Sequence, residues 1–359
     1  MNLYKFFCRP LLFRLSPETS HHLAITALKI AGLPVISTLV SSAYRRKSDA
    51  LHVKTMGLNF SNPVGLAAGF DKNGVAAAGA RSLGFGYVEV GTVTPLPQPG
   101  NSGKRLFRIK ASMALQNRLG FPNVGMKAVK QNIRKFKRDG YVVGISIGKG
   151  VATPLDKATD DYISCLDELY ADADYFAVNV SSPNTSGLRD LQHKAYLQSL
   201  CEALVGRSAE LALSHSITAR PLLIKISPDL TDKEIDDVLE VAVSTGIAGI
   251  IATNTTTFNV ESFGAVTGMG GVSGSPLSKR STDVVRYISQ KMNKRLTIIA
   301  AGGIFSPDDA LEKLEAGADL LQIYTGLIYE GPSLASKINR GLLKSGRFTV
   351  SSKLVAKSG

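Results

Sequence analysis

Seven consecutive residues, Asn179-Val180-Ser181-Ser182-Pro183-Asn184-Thr185, concentrate two amides and three hydroxyls around one proline. A second group, Thr253-Asn254-Thr255, repeats the chemistry, and two lysines, Lys72 and Lys225, follow short apolar runs. This set is rich in amides, hydroxyls and ammonium groups and almost free of imidazole, with His 5 in 359 residues. Metal-assisted hydrolysis needs clustered His, Asp and Glu ligands, so the pattern disfavours it. The cysteines Cys8, Cys165 and Cys201 lie far apart without a C-x-x-C, which argues against a zinc finger or disulfide scaffold and suits a reducing compartment. Two chemistries remain for the lysines. One is Schiff-base catalysis. The other places a cation beside the ring of a phosphorylated, electron-accepting cofactor, where negative charge develops. Gly302-Gly303 and Gly326 supply bare backbone of the kind that cradles a phosphate.

Such residues must converge, and the chain's rhythm says how. From residue 63 onward, short β-branched runs alternate with longer amphipathic stretches. Strands are expected at 63–70, 87–94, 142–148, 174–182, 221–228, 249–256, 296–304 and 320–327. Helices are expected near 74–84, 124–139, 157–171, 189–213, 231–245, 279–293, 308–316 and 332–344. Ser306-Pro307-Asp308-Asp309 and Thr231-Asp232-Lys233-Glu234 are helix-starting sequences. Eight alternating units predict an α/β fold, a closed (β/α)8 TIM barrel. An open doubly wound sheet would want G-x-G-x-x-G after its first strand, where this chain reads GLAAGFDKNG. In a barrel the C-terminal strand ends share one face, and all the residues named above fall on such ends.

The net charge of +13 is unevenly spread. Residues 1–50 carry seven Lys/Arg against two acids, and residues 331–359 carry six against none. The body is nearly neutral, which argues against a nucleic-acid-binding face. Ser16-Pro17-Glu18 opens a helix running to about Ala31, and a second apolar run spans Leu33 to Val40. Lys29, Gly32 and Pro34 interrupt any bilayer-spanning stretch, and no signal-peptide cleavage site follows an apolar core. Two readings stand for this segment: a helical cap on the barrel, or a helical pair lying in a membrane interface with cations at the headgroups.

The runs GLAAGFDKNG, EVGTVTP, NRLGFPN, VNVSSPNTSGLR, KISPDL, ATNTT, GGVSGSPL, AAGGI and QIYTGLIYEGP occur in this order. Over roughly residues 50–340 they closely resemble dihydroorotate dehydrogenase, the FMN enzyme of pyrimidine biosynthesis. Ser182, where soluble members carry Cys, and the helical N-terminal extension resemble its membrane-associated, quinone-linked class.

The resemblance implies oxidation of dihydroorotate to orotate, with hydride passing to FMN and electrons onward to a membrane quinone. Ser182 would be the general base, and Thr185 and Phe121 would shape a water relay for its proton. Lys72, Asn117, Arg118, Leu119, Gly120, Phe121, Asn179, Asn184, Asn254 and Thr255 would bind the substrate. Ala68, Gly69, Phe70, Asp71, Lys72, Thr92, Asn179, Lys225 and Thr253 would surround the flavin ring, with Lys225 at its N1/O2 edge. Gly274, Gly303, Tyr324 and Thr325 would take the phosphate and ribityl end. GISIGKG puts Ser146 where membrane-linked bacterial members carry Asn, so its hydroxyl would reach the flavin through water. The loop Gly268–Gly274 would be a lid or phosphate neighbour. Arg108 and Tyr324 would stand at the inner end of a quinone tunnel. His21 and His22 are candidates for its entrance, although a helix-surface histidine is the commoner outcome. The implied organisation is a membrane and tunnel segment at 1–46, an FMN barrel at 47–343 and a basic tail at 344–359. The chain would be a monomer held peripherally on the cytoplasmic side of the inner membrane, with no metal and no nucleic-acid partner. A Schiff-base aldolase, and a non-catalytic membrane-binding protein using the basic ends, are the competing readings.

Overall fold

The computed structural model describes residues 3–136, 140–266 and 270–346. Its strands are β1 (53–55), β2 (58–60), β3 (64–66), β4 (87–93), β5 (106–109), β6 (114–117), β7 (142–147), β8 (175–179), β9 (222–226), β10 (249–252), β11 (271–274), β12 (297–301) and β13 (320–323). Its helices are α1 (9–12), α2 (17–31), α3 (34–44), α4 (77–82), α5 (126–136), α6 (158–169), α7 (194–215), α8 (232–245), α9 (278–292), α10 (307–315), α11 (325–330) and α12 (334–345). A single wide helical turn at Tyr4–Cys8 precedes α1.

The eight predicted strands close into one parallel barrel in the order β3-β4-β7-β8-β9-β10-β12-β13. Each is an almost continuous apolar run because both its faces are covered, by side chains inside and helices outside. The helices start where their caps direct. Thr231 and Glu234 form a reciprocal capping box on α8, and the Ser306 and Ser16 hydroxyls accept from the backbone N–H of Asp309 and Thr19. The barrel floor is closed by the β1–β2 hairpin, whose Phe60 meets Tyr87 edge-on at 5.1 Å. Gly65 of β3 is required there: a Cβ at this position would lie 2.2 Å from the Tyr87 ring. The C-terminal mouth is therefore the open end.

Two features depart from plain β/α alternation. β5, β6 and β11 form a separate antiparallel sheet over the mouth, pairing residues about 150 positions apart. The N-terminal segment folds against the barrel rim: Tyr4 Oη donates to the Ile328 carbonyl at 2.7 Å, Arg9 to that of Tyr329, and Lys5 pairs with Glu330. Helices α2 and α3 meet at 100°, and no single described helix is long and apolar enough to cross a membrane. Their outer surface carries exposed Leu23, Ile30, Leu33, Val35 and Leu39, continued by Phe6, Phe7 and Leu11. The three cysteines are free. Of the segments singled out in the sequence, residues 268 and 269 of the Gly268–Gly274 loop and residues 347–359 of the basic tail lie outside the described residues.

Candidate active site

The mouth of the barrel holds a cavity of about 1050 Å³, its opening included. The strand ends expected to carry chemistry converge on it. Ala68, Gly69 and Lys72 come from the end of β3, Thr92 from β4, Asn179, Ser182 and Asn184 from β8 and beyond, and Lys225 from β9. Thr253, Asn254 and Thr255 follow β10, Gly303 follows β12, and Tyr324 and Thr325 follow β13. The added sheet supplies Asn117 and Gly274, and the turn after β6 supplies Leu119, Gly120 and Phe121.

Four expected residues stand differently. Ser146 is fully buried and turned against Thr92, their hydroxyls 2.9 Å apart, so it sits behind the cavity wall. A serine here is too short to pass Thr92. Asp71 is buried and accepts from the backbone N–H groups of Val75 and Ala76, which is a loop-structuring role. Arg118 reaches outward to the Ser102 carbonyl. Phe70 packs edge-on between Tyr324 and His21, at 5.5 and 5.3 Å. His21 thus faces inward and His22 is exposed.

One end of the cavity is a polar wall of linked amides. Asn184 Nδ2 donates to Asn117 Oδ1 at 2.8 Å, Asn254 Nδ2 to Ser181 Oγ at 3.0 Å, and Asn179 Nδ2 to Thr92 Oγ1 at 2.8 Å. The network leaves Asn184 Oδ1 and Thr255 Oγ1 buried without a partner. Leaving polar atoms buried and unpaired costs about 1–3 kcal/mol each, a cost borne by the residues that form this wall. Ser182 Oγ accepts the Asn184 backbone N–H at 3.3 Å beside this wall.

Lys72 crosses from the wall towards α2. Its ammonium donates to the Gly69 carbonyl at 2.7 Å and stands 3.4 Å from His21 Nε2. Burial pushes Lys72 down to about 8, with Asp71 opposing the fall, and burial together with the Lys72 charge pushes His21 down to about 3. His21 is therefore neutral near pH 7 and able to accept from Lys72. At the cavity floor Lys225 pairs with buried Glu89 at 3.5 Å, and Glu89 also accepts from Tyr175 and Gln322. Gln322 lines the cavity with its Oε1 buried and unpartnered. It was not among the residues expected from the sequence, although its place just before Tyr324 on an inward-facing strand position could have flagged it.

The opposite end is a backbone cradle. A Cβ at Gly303 would fall 2.4 Å from the Ser278 Cα, and one at Gly274 would fall 2.4 Å from the Met113 carbonyl oxygen. Both glycines have positive φ, and the Thr325 hydroxyl stands 2.8 Å from that of Ser273. An apolar middle, a phosphate-sized bare-backbone end and a cation at the floor fit a flavin mononucleotide.

Helix α2 is fastened to this mouth by two arginines. Arg105 makes a two-pronged pair with Glu18 at 2.7 and 3.3 Å. Arg108 donates to the Leu15 carbonyl and the Ser20 hydroxyl and lies 4.6 Å over the Phe13 ring.

Residues 50–345 match the family model for dihydroorotate dehydrogenase. A relative named dihydroorotate dehydrogenase (quinone) from Christiangramia forsetii is 46% identical over 96% of this chain and 100% of that protein. One of the same name from Pseudomonas aeruginosa is 49% identical over 91% of this chain and 94% of that protein. Among solved structures, the dihydroorotate dehydrogenase of Eimeria tenella in complex with ferulenol superposes with a TM-score of 0.85 at 36% identity, covering 94% of each chain. The chain belongs to the dihydroorotate dehydrogenase family, in its quinone-linked class.

Proposed function

We propose that this protein oxidises (S)-dihydroorotate to orotate in the making of pyrimidines and delivers the electrons to a membrane quinone. The observation that carries this reading is the wall of linked amides, Asn117, Asn179, Asn184 and Asn254, that lines the cavity with Lys72 beside it. A flat ring bearing amide groups and a carboxylate finds complementary donors and acceptors in that wall and a cation in Lys72.

FMN, when bound in the cavity, would supply the acceptor for the hydride leaving C6 of the substrate and the route of the electron pair to the quinone. Gly274, Gly303 and Thr325 would hold its phosphate end, and Ala68, Gly69, Thr92, Thr253, Gln322 and Lys225 would line its ring. The chain does the rest. Asn117, Asn179, Asn184 and Asn254 orient the substrate ring, and Lys72 holds its carboxylate. Ser182 Oγ takes the proton from C5. A serine hydroxyl is a weak base, so it must hand on its own proton, and Thr185, itself buried, is the first step of a water relay that Phe121 helps to shape. The turn 119–121 borders the substrate.

The N-terminal segment, residues 1–46, serves the second half-reaction. Its exposed Phe and Leu side chains lie in the membrane surface, and its cations face anionic headgroups. The aromatic row Tyr324, Phe70 and His21 leads from the cavity to α2. Arg108 offers a cation at the inner end of an apolar passage between the barrel, residues 47–343, and this segment. The protein works as a monomer on the cytoplasmic face of the inner membrane.

Anaerobic addition of dihydroorotate to the purified protein tests the reading. The protein should carry flavin absorbance that bleaches with formation of orotate. A colourless protein trapped on a lysine by borohydride and a carbonyl substrate would replace it with a Schiff-base enzyme.

A further inference from the structure

Outside the cavity, one guanidinium gathers three neighbouring strand ends. Arg189 lies in the short helical turn 188–192 that follows the Ser182 loop. Its Nε donates to the Ser181 carbonyl at 3.3 Å, and its Nη2 donates to the Thr255 carbonyl at 3.2 Å. Its Nη1 donates to Asp229 Oδ2 and to Thr257 Oγ1, each at 3.0 Å. The three loops so joined follow β8, β9 and β10.

Asp229 completes the frame. It accepts from the Thr256 hydroxyl and from both the backbone N–H and hydroxyl of Thr257, at 2.9 and 3.0 Å for the last two. Thr256 pairs in turn with Val272 of β11 through two backbone hydrogen bonds of 3.0 and 2.7 Å. Neither Arg189 nor Asp229 lines the cavity. The carbonyls that Arg189 holds belong to Ser181, the residue before Ser182, and to Thr255, which lines the cavity. A planar fork with five donors can grip four fixed acceptors at once, and a lysine cannot.

We infer that Arg189, oriented by Asp229, is the positioning residue for proton abstraction: it fixes Ser182 relative to Thr255, which follows β10 in the cavity wall. The inference rests on Ser182 being the base. Geometry of this kind matters steeply, since misplacing a reacting group by about 1 Å costs on the order of 100-fold in rate.

The test uses the holoenzyme in anaerobic rapid mixing. Flavin reduction by dihydroorotate and flavin reoxidation by a short-chain quinone are timed for the parent, Arg189→Lys, Asp229→Asn, Ser182→Ala and the Arg189→Lys/Ser182→Ala double variant. Arg189→Lys should slow reduction roughly 10- to 100-fold and leave reoxidation and flavin content within about twofold of the parent. In the Ser182→Ala background the same substitution should have almost no further effect, because two residues acting on one step are not additive. Asp229→Asn should show the same split and, combined with Ser182→Ala in a second double variant, the same non-additivity; it carries the test should Arg189→Lys lose its flavin. Parent-like reduction in Arg189→Lys, or slowing that multiplies with that of Ser182→Ala, would overturn the inference. If Ser182→Ala alone reduces at the parent rate, the base assignment itself is wrong and the inference falls with it.

Discussion

The depressed ammonium of Lys72 makes the binding of orotate depend on pH in a way that the structure sets. Burial holds this group at about 8 in the free protein, and its nearest partners are the Gly69 carbonyl and His21, which stays neutral throughout because it titrates near 3. A carboxylate beside Lys72 favours the charged form, so the ligand binds the ammonium and must recruit a proton once that proton has been lost. Below pH 7 Lys72 is already charged and affinity should be flat. One pH unit above 8 only about a tenth of the free protein carries the charge, so affinity at pH 9 should fall about tenfold, or about 1.4 kcal/mol. That loss is smaller than the roughly 1.5–3 kcal/mol of a charge-assisted hydrogen bond, so the interaction is strong enough to pull the proton back on. Lys72→Met should bind about 10- to 100-fold more weakly at pH 7 and show no such decline. Lys72→Arg stays charged and should also be flat. The assay is calorimetric titration of orotate into the oxidised holoenzyme at pH 6, 7, 8 and 9. A parent affinity constant across that range, or an equal decline in Lys72→Arg, would refute the placement of Lys72 against the carboxylate.

Three further outcomes follow from the same geometry. Thr185→Val, nearly isosteric, should slow flavin reduction by dihydroorotate about 100-fold or more and abolish its solvent isotope effect, with orotate affinity unchanged, as read by rapid mixing in light and heavy water. Deleting residues 1–40 should remove both quinone reduction and co-sedimentation with anionic vesicles while flavin bleaching by dihydroorotate persists; survival of quinone reduction would detach α2 and α3 from that step. Gly65→Ala should destabilise the barrel by about 1–3 kcal/mol, because the added methyl meets the Tyr87 ring at 2.2 Å, and thermal denaturation followed by circular dichroism would register it.

Much of the architecture can be read locally. Each barrel strand is a short β-branched run whose both faces are covered, and Ser16, Thr231 and Ser306 announce helices that begin where their side chains cap the backbone. Once eight such units are counted, the rule that chemistry collects at strand ends points to Lys72, Asn179, Ser182, Lys225, Asn254 and Thr255 without any coordinates. All six line the cavity.

What the chain could not disclose by itself is every relation between residues distant in sequence. Nothing local pairs 114–117 with 271–274, yet that pairing brings Asn117 and Gly274 to the mouth. No periodicity chooses between His21 and His22, and only the docking of α2 by Arg105 and Arg108 turns the first inward. Ser146 was legible as a departure from the family pattern, but its turn against Thr92 depends on how deep β7 sits. Gln322, Glu89 and Arg189 acquire meaning from partners between 40 and 233 positions away. Composition and spacing determine which chemistry the chain can offer, because residue type and local periodicity are properties of short segments. Burial, charge pairing and the lining of the cavity are decided by closure of the barrel, because they depend on which strand ends meet.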